Sequence, residues 1–555
     1  MVQLRSLGAN TAVRRSQWQA LGLSEADLEK PKIAVVNSSS ELAICYAHLD
    51  GVAKVVKEAI RAAGGVPFEV RTTAPADFIT GAARKGSYIL AGRDLIPSDI
   101  EAQVEAAMLD GMVCLTSCDK TPAGHLMAAG RLNIPTLLVI GGYQASGMIG
   151  DDHIDIEELF SGQVADRFGK PMKHSVAEMI PQAIRGPGVC AGMATANTMH
   201  CLVEALGMSL PGSAPVRANS ERMFESARQS GKRIVQMVLE GLTPRQILTE
   251  GAFRNAAAMV LAVSGSINAI KHLQATAVEA KTDIDVFAIW DEMSRKVPIL
   301  TSVRPTGHLR IEEFEDAGGA QAILKQLESI IDAGVMTCTG KTLAENLEGV
   351  TVGDPEIIRP LDRPVSKGPA IAILRGSLAP ESAVVKLGLS GSRLESFDGP
   401  AVVYDDSDLA LRHLADGTIT KGQVLVLRGL GVKGGPAMGG GASSVLFAID
   451  AAGLADHVAF VTDSQLSGLC LKGLTVAEVA PEAAAGGPLA KVRDGDRIII
   501  DAHKRQLDLD VPAEVLARRP APGNAYHTDA PGYLGIYRRD VQAMSTGAVL
   551  TDLES

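Results

Sequence analysis

Residues Lys32–Gly65 read KIAVVNSSSELAICYAHLDGVAKVVKEAIRAAGG, which is a strand pattern followed by a helix pattern. Lys32–Asn37 is a short apolar run rich in β-branched residues, as is typical of a buried strand. A helix is predicted from about His48 to Ala63, and the glycines that follow end it. A strand followed by a helix is the repeating unit of a doubly wound α/β layer.

The same alternation continues through the first two-thirds of the chain. Gly111–Ser117 (GMVCLTS) and Ile134–Ile140 are predicted strands, and glycine-rich or helical sequence follows each of them. Long helical stretches are predicted from about Ser220 to Gly241 and from about Phe253 to Ala280. We therefore expect an N-terminal, doubly wound α/β domain over residues 1–360.

The sequence changes character at Gly349–Pro369, a polar stretch with four prolines that is the best candidate for a linker. Short strands separated by glycine and aspartate turns follow it, with few long helices. They predict a smaller, β-rich, barrel-like domain over residues 361–555. The strands predicted there are Ala370–Leu374, Ala401–Tyr404, Gln423–Arg428, Ala459–Thr462 and Arg497–Asp501.

Composition excludes several classes of protein. The 555 residues include 64 acidic and 53 basic side chains, for a net charge of −11. An acidic chain without a basic stripe is not expected to bind nucleic acid. No apolar run approaches the roughly 18 residues of a membrane span, and the first residues lack the apolar core of a secretory signal. We expect a cytoplasmic protein with no membrane partner.

Seven cysteines are too few and too scattered for a disulfide framework, so reduced thiols are expected. Cys45 follows a strand, Cys118 lies at the end of another, and Cys190 is flanked by glycines in GPGVCAGMATANTM. Loops beside strand ends are where α/β sheets place ligands, although buried cysteines often serve only packing. The absence of CxxC spacing excludes a zinc ribbon, but thiolates from distant loops remain able to hold an iron–sulfur cluster. Packing is the better interpretation for Cys114, Cys201, Cys338 and Cys470.

Many segments, in order and spacing, resemble one family over nearly the whole chain. They include CYAHL, DGMVCLTSCDKTPAGHLMAAGRLNIPT, CAGMATANTMHCLVEALGMSLPGSA, TGKTLAENL, GSLAPESAVVK, VLRGLGVKGGPAM, TDSQLSG and APEAAAGGPLAKVRDGDRIIID. The chain is thereby identified as a divergent member of the dihydroxy-acid dehydratase / phosphogluconate dehydratase family. These iron–sulfur hydro-lyases dehydrate 2,3-dihydroxy acids and aldonic acids.

The resemblance implies two inorganic cofactors. Cys45, Cys118 and Cys190 match the three thiolate ligands of the family's cluster, usually [2Fe–2S]. Three protein ligands leave one iron with an open position, which suits a Lewis acid. Asp77, in TTAPADFITG, and Asp119 match magnesium ligands.

The resemblance also assigns a modified lysine, a catalytic base, a substrate and an assembly. Lys120 matches a lysine that can become carbamylated in this family, a change that turns an ammonium into an anionic oxygen ligand suited to a hard cation such as Mg²⁺. Ser467 matches the serine proposed as the catalytic base, which would take the C2 proton once nearby cations lower its pKa. The implied substrate is a small anionic hydroxy acid, the product is a 2-oxo acid, and the implied assembly is a homodimer or a dimer of dimers.

Departures from the family pattern leave the substrate open. The glycine loop GGPAMGGG places Gly440 where the family has a glutamate ligand for magnesium, so that site is weakened, rebuilt or lost. TTAPADF resembles the sugar-acid branch, whereas the CDK segment with its RLNIP continuation resembles the branched-chain branch, which we favour. The alternatives are an aldonate dehydratase and a non-catalytic, cluster-binding or redox-responsive relative. The joint presence of the matching cysteines, acids, lysine and serine favours an enzyme.

Overall fold

Two large β-sheets organise the chain, and helices pack around both of them. The structure is a computed structural model in which residues 4–8, 11–389, 391, 393–435, 440–520, 526 and 530–551 are described. The strands are β1 (Lys32–Asn37), β2 (Val66–Arg71), β3 (Gly111–Thr116), β4 (Thr136–Ile140), β5 (Gly147–Ile149), β6 (Asp152–Ile154), β7 (Ile371–Leu374), β8 (Ser382–Lys386), β9 (Ser396–Tyr404), β10 (Val424–Leu427), β11 (Ala459–Thr462), β12 (Leu474–Ala480), β13 (Arg497–Asp501) and β14 (Gln506–Leu509).

The helices vary in length, and within the described ranges none is long and apolar enough to cross a membrane. They are α1 (Arg5–Gly8), α2 (Ala12–Ala20), α3 (Glu25–Leu28), α4 (Ile44–Ala47), α5 (Leu49–Ala62), α6 (Asp77–Thr80), α7 (Tyr88–Ile100), α8 (Lys120–Leu132), α9 (Ile156–Arg167), α10 (Val176–Met179), α11 (Thr195–Ala205), α12 (Glu221–Glu240), α13 (Pro244–Ile247), α14 (Glu250–Ala262), α15 (Asn268–Glu279), α16 (Val286–Met293), α17 (Ile311–Asp316), α18 (Gly319–Gln326), α19 (Leu343–Asn346), α20 (Ser407–Ala415), α21 (Gly440–Ala451), α22 (Ala513–Arg518) and α23 (Tyr533–Asp540).

The N-terminal sheet has four parallel strands in the order β2-β1-β3-β4. The chain leaves β1 through α5 to form β2 on one side, and later returns to form β3 on the other side of β1. Neighbouring strands whose connections leave in opposite directions open a crevice at their carboxyl ends, which is where α/β sheets bind ligands. The expected α/β architecture is confirmed, and the crevice lies at the ends of β1 and β3.

The C-terminal sheet has eight strands in the order β14-β13-β9-β10-β11-β12-β8-β7. The middle strands β9 to β12 are parallel, and antiparallel strands flank them on both sides. A bridge between Arg375 and Gln506 joins the two outer strands, so the sheet nearly closes into the expected barrel. In β10, Val424 and Val426 belong to one buried apolar cluster, while Leu425 and Leu427 belong to the larger one, so both faces of the strand are covered.

The sequence-based elements differ from the structure at two points. The helix predicted over 253–280 is wrong: α14 ends at Ala262 and α15 begins at Asn268. Ser264 has a φ of 47° between them. The next residue, Gly265, packs so closely on α11 that a Cβ there would lie 2.7 Å from the Thr198 Cγ2 methyl. The predicted set of C-terminal strands also lacked β8, β12 and β14.

Candidate active site

Three cysteines converge at the carboxyl edge of the N-terminal sheet. Cys45 lies in α4, shortly after β1, and Cys118 lies two residues after β3 ends. Cys190 follows Val189, which pairs with Tyr143 just beyond the end of β4. The parallel strands therefore bring Cys45 and Cys118 to one edge of the sheet, and the bridge from Val189 to Tyr143 brings Cys190 to the same edge.

Hydrogen bonds fix the backbone beside each thiol. The Ser117 hydroxyl donates to the Cys45 carbonyl at 2.5 Å, and the Thr121 N–H donates to the Cys118 carbonyl at 2.9 Å. The Asn197 side-chain amide donates to the Cys190 carbonyl at 2.9 Å. These bonds fix the backbone at each cysteine without using its Sγ atom.

The three thiols line one cavity of about 220 Å³. A hydrogen bond with Cys45, together with burial, raises the pKa of the Cys118 thiol well above its usual value. Burial and then the charge of Asp155 raise the pKa of the Cys190 thiol. Thiols in this setting stay protonated unless a cationic group neutralises the negative charge that gathers around them. The same cavity is lined by Asp77, Asp119 and Ser467.

Asp77 and Asp119 flank the buried amine of Lys120. Lys120 Nζ lies 3.7 Å from Asp77 Oδ2 and 3.3 Å from Asp119 Oδ2. Burial disfavours the ammonium, but the two carboxylates outweigh burial, and the Lys120 pKa is raised. Burial and the neighbouring Asp119 raise the pKa of Asp77 to about 8. The buried Oδ1 atom of Asp77 has no hydrogen-bond partner among the described residues, so it has a free acceptor position.

Ser467 lies on the loop that follows β11, at the carboxyl end of the parallel strands of the barrel. Its backbone N–H donates to the Ser443 hydroxyl at 3.2 Å, and its Oγ accepts from the Leu469 N–H at 3.3 Å. Gly468 lies against α11, where a Cβ would be 2.6 Å from the Thr195 backbone nitrogen. The barrel loop therefore meets the helix that follows Cys190.

Two family models match the chain, and they describe the N-terminal and the C-terminal parts of the same group of enzymes. The model described as Dihydroxy-acid/6-phosphogluconate dehydratase N-terminal matches residues 30–346, and its C-terminal counterpart matches residues 356–548. The chain belongs to the dihydroxy-acid/6-phosphogluconate dehydratase family. The resemblance found in the sequence is confirmed, and so is the expected enzyme class, a dehydratase.

Relatives within the dehydratase family match over almost the full chain. A protein named dihydroxy-acid dehydratase 1 from Methanosarcina acetivorans is 40% identical over 547 residues, which cover 98% of each chain. A dihydroxy-acid dehydratase from Ignicoccus hospitalis is 42% identical over 516 residues, 92% of each chain. Another from Acetivibrio thermocellus is 39% identical over 551 residues, 98% of each chain.

The donors at this candidate site fit the cofactors that the family implies. Three thiols from separate loops line one cavity, and thiolates are the ligands of iron–sulfur clusters. Asp77 and Asp119 line the same cavity beside them and offer carboxylate oxygens, which hard cations prefer. The thiols, which suit iron, and the carboxylates, which suit Mg²⁺, thus lie next to each other.

The glycine loop is the weakest part of this fit. Residues 436–439 lie outside the described residues, and Gly440 is the first residue of α21. Gly441 and Ser443 line a second cavity, of about 460 Å³, which Asp77 and Ser467 also line. The position that carries a glutamate in the family therefore adjoins the site, but this chain places no carboxylate there.

Sequence reasoning missed the carboxylate that holds the barrel loops together. Asp463 accepts backbone hydrogen bonds from Gly429, Leu430 and Ala483, each at 3.0 Å. It lies four residues before Ser467 and fixes the loops after β10, β11 and β12 at one end of the barrel. The sequence offered one indication of this residue, because Asp463 belongs to the same TDSQLSG motif as Ser467.

A buried lysine was also missed. Lys386, in β8, is 8% exposed, and its Nζ has no hydrogen-bond partner among the described residues. Burial and, to a lesser extent, the charge of Arg393 lower the Lys386 pKa to about 7, against the opposite effects of Glu157 and Cys470. Cys470 follows Ser467 by three residues, so this amine lies near the base of the serine loop.

Proposed function

We propose that this chain removes water from a 2,3-dihydroxy carboxylic acid and releases a 2-oxo acid, the reaction of dihydroxy-acid dehydratases. One observation carries the proposal. Three thiols, two carboxyl groups and Ser467 line a single cavity of about 220 Å³. That set combines cluster ligands, ligands for a hard cation and a proton acceptor in a space suited to a small substrate.

The proposed cofactor ligands are those that the family resemblance assigns. Cys45, Cys118 and Cys190 would hold a [2Fe–2S] cluster, and Asp77, Asp119 and Lys120, carbamylated on its amine, would hold Mg²⁺. When bound, the two groups would supply Lewis acidity toward the oxygen atoms of the substrate.

Residues of the chain account for the removal of the C2 proton. Ser467 Oγ would accept the C2 proton, and the Leu469 N–H, 3.3 Å away, donates to that oxygen and stabilises its ionised form. Gly468 holds the loop against Thr195 and so fixes the position of the oxygen.

The lining of the thiol cavity favours a branched-chain dihydroxy acid. Its remaining wall is largely apolar and suits an alkyl substituent. The apolar side chains there include Leu42, Ile44, Phe78, Ile79, Ile156 and Leu469.

An aldonate is the second candidate substrate, and the 460 Å³ cavity favours it. Lys85, Gln163 and Arg167 line this space together with Asp77 and Ser467. A longer polyhydroxylated chain would find hydrogen-bond partners here that a branched alkyl chain does not need.

The test is a substrate comparison on protein purified without oxygen. The visible spectrum records the cluster, and 2-oxo acid formation is measured with 2,3-dihydroxyisovalerate and with several aldonates, each with and without Mg²⁺. Faster turnover of the branched acid is expected. Exclusive turnover of aldonates would move the assignment to the second candidate. An intact cluster with no product from any acid would refute the enzyme and leave the cluster-binding relative.

We also propose the division into residues 1–360 and 361–555 and a homodimeric or dimer-of-dimers assembly. Limited proteolysis tests the division, and cleavage first within 349–369 is expected because no helix or strand lies there. Sedimentation velocity tests the assembly, and a monomer at micromolar concentration would contradict it.

A further inference from the structure

A histidine and two carboxylates meet at the start of α9, beside the loop that carries Cys190. His153 lies in β6, Asp155 is the N-cap residue of α9, and Glu158 lies in its first turn. One ligand atom from each lies within 4.8 Å of the other two. Among the described residues, none of the three lines either cavity of the active site.

The His153 side chain is buried without a partner. It is 9% exposed, and neither ring nitrogen has a hydrogen-bond partner among the described residues. Nδ1 lies 4.0 Å from Asp155 Oδ2 and 4.0 Å from Glu158 Oε2. These distances are too long for hydrogen bonds, so a buried nitrogen faces two acids and bonds to neither.

The spacing suits an ion between the three groups. Bonds from zinc to histidine nitrogen and to carboxylate oxygen are each about 2.0–2.2 Å, so ligand atoms around a tetrahedral ion lie about 3.3–3.6 Å apart. The ligand atoms of His153, Asp155 and Glu158 lie within 4.8 Å of one another, and small side-chain rotations would bring them into this range.

The acids are already fixed in place by the helix that they cap. Asp155 Oδ1 accepts from the Glu157 N–H at 2.7 Å, and Glu158 Oε2 accepts from the Asp155 N–H at 3.0 Å. The helix therefore holds each carboxylate group beside His153, Glu158 by the oxygen that faces the ring and Asp155 by its other oxygen, Oδ1. Such preorganisation lowers the cost of binding.

The local charge also favours a cation. Arg304 pairs with Glu158 through Oε1, the oxygen that does not face His153. Within the described part of the chain, no lysine or arginine nitrogen lies within 4.0 Å of Asp155. The charges of Arg310 and Glu312 shift the pKa of His153 in opposite directions, so they offset each other. With a neutral imidazole, the group thus keeps one uncompensated negative charge.

We propose that His153 Nδ1, Asp155 and Glu158 bind a divalent transition-metal cation, for which Zn²⁺ is the probe. A nitrogen ligand beside two carboxylates suits zinc or manganese better than magnesium or calcium. This site is separate from the proposed cluster and Mg²⁺ ligands and does not depend on the proposed reaction.

Such an ion would stabilise the Cys190 loop. The Arg304 carbonyl accepts from the Met193 N–H at 2.6 Å, and Arg304 pairs with the ligand Glu158. Gly192 also lies close, since a Cβ there would be 3.8 Å from Asp155 Oδ2. The site thus connects α9 to the segment after Cys190.

The test measures metal content rather than activity. Full-length protein that retains its cluster is incubated with ZnCl₂ and desalted, and zinc and iron per chain are measured by mass spectrometry. The wild type is expected to retain one zinc more than His153→Ala, with equal iron in both. The control is His174→Ala, which removes the nearby histidine that pairs with Asp152 at 2.6 Å, and it should match the wild type. Equal zinc in the wild type and His153→Ala would overturn the proposal.

A second measurement covers the case in which His153→Ala does not fold. Crystals of the zinc-treated wild type are measured above and below the zinc absorption edge, which separates zinc from iron. A difference peak between His153, Asp155 and Glu158 is expected. A map without that peak would overturn the site and leave a buried histidine beside two acids.

Discussion

Gly468→Ala tests whether contact with α11 lets the barrel loop position Ser467 Oγ, the proposed base. Gly468 follows Ser467 directly, and its φ lies outside the left-handed region, so alanine fits the backbone conformation. The obstacle is space. A Cβ would lie 2.6 Å from the Thr195 backbone nitrogen, 2.7 Å from Thr195 Oγ1 and 3.0 Å from Ser266 Oγ.

The required displacement sets the size of the effect. An ordinary heavy-atom contact needs about 3.5 Å, so the loop must retreat from Thr195 by roughly 0.9 Å. Displacements of about 1 Å at a reacting group cost about 100-fold in rate, or about 2.7 kcal/mol. Overpacking of this kind destabilises a fold by about 1–3 kcal/mol, which a protein of this size tolerates. The expected variant is folded, keeps its cluster and has a kcat lowered by about 100-fold.

The assay measures kcat, iron content and the thermal midpoint for each variant. Gly51→Ala is the matched control because a Cβ at Gly51, within α5, meets nothing within 4 Å. It should keep full activity and gain slightly in stability, since alanine favours a helix over glycine. A Gly468→Ala protein with wild-type kcat would refute the positioning argument. Loss of iron together with activity would place the effect at the thiols instead.

Other substitutions test other parts of the site. Cys118→Ser should abolish the visible absorption of the cluster. Cys338→Ser is the control because it alters a buried thiol outside the cavity, and it should preserve that absorption. A full cluster in Cys118→Ser would refute the ligand assignment. Gly440→Glu should lower the Mg²⁺ concentration needed for half-maximal activity, and an unchanged metal titration would show that this position does not reach the ion. The pKa of Lys386 is lowered to about 7 in the folded protein, which is below its value in the unfolded chain. Between about pH 7 and pH 10 the folded state therefore binds fewer protons than the unfolded state, and the free energy of unfolding should rise with pH. Lys386→Met should remove that rise and stabilise the protein at pH 7, as urea titrations at several pH values would show; an unchanged slope would contradict the lowered pKa.

Local sequence patterns were enough to predict the elements that carry the thiols. β1 and α5 follow a strand pattern and a helix pattern that depend only on nearby residues, and β1 matches its predicted bounds, Lys32–Asn37. Because parallel strands end at one edge of a sheet, residues just after them lie near each other. Cys45 and Cys118 follow this rule directly. Cys190 does not follow a strand, and only the bridge from Val189 to Tyr143 explains its position.

Features that depend on distant partners were not predictable from the sequence. The charged residue Glu478 interrupts the apolar run of β12, and it is buried because Lys271, 207 residues earlier, pairs with it at 2.5 Å. The break between α14 and α15 arises where Gly265 packs on α11, again far along the sequence. The TDSQLSG motif marks Asp463, but not its role, because its backbone donors come from the separate loops after β10 and β12. The spacing of apolar residues along the sequence indicates none of these contacts.

The two walls of the thiol cavity differ in when the ribosome produces them. Cys45, Cys118 and Cys190 all lie in the first 190 residues, whereas Ser467, Gly468 and Leu469 belong to the last fifth of the chain. Since domains fold as units during synthesis, a nascent chain displays the three thiols before the segment that covers them exists. If these thiols bind a cluster, as proposed, its delivery would therefore have the widest access during translation, before the barrel is complete.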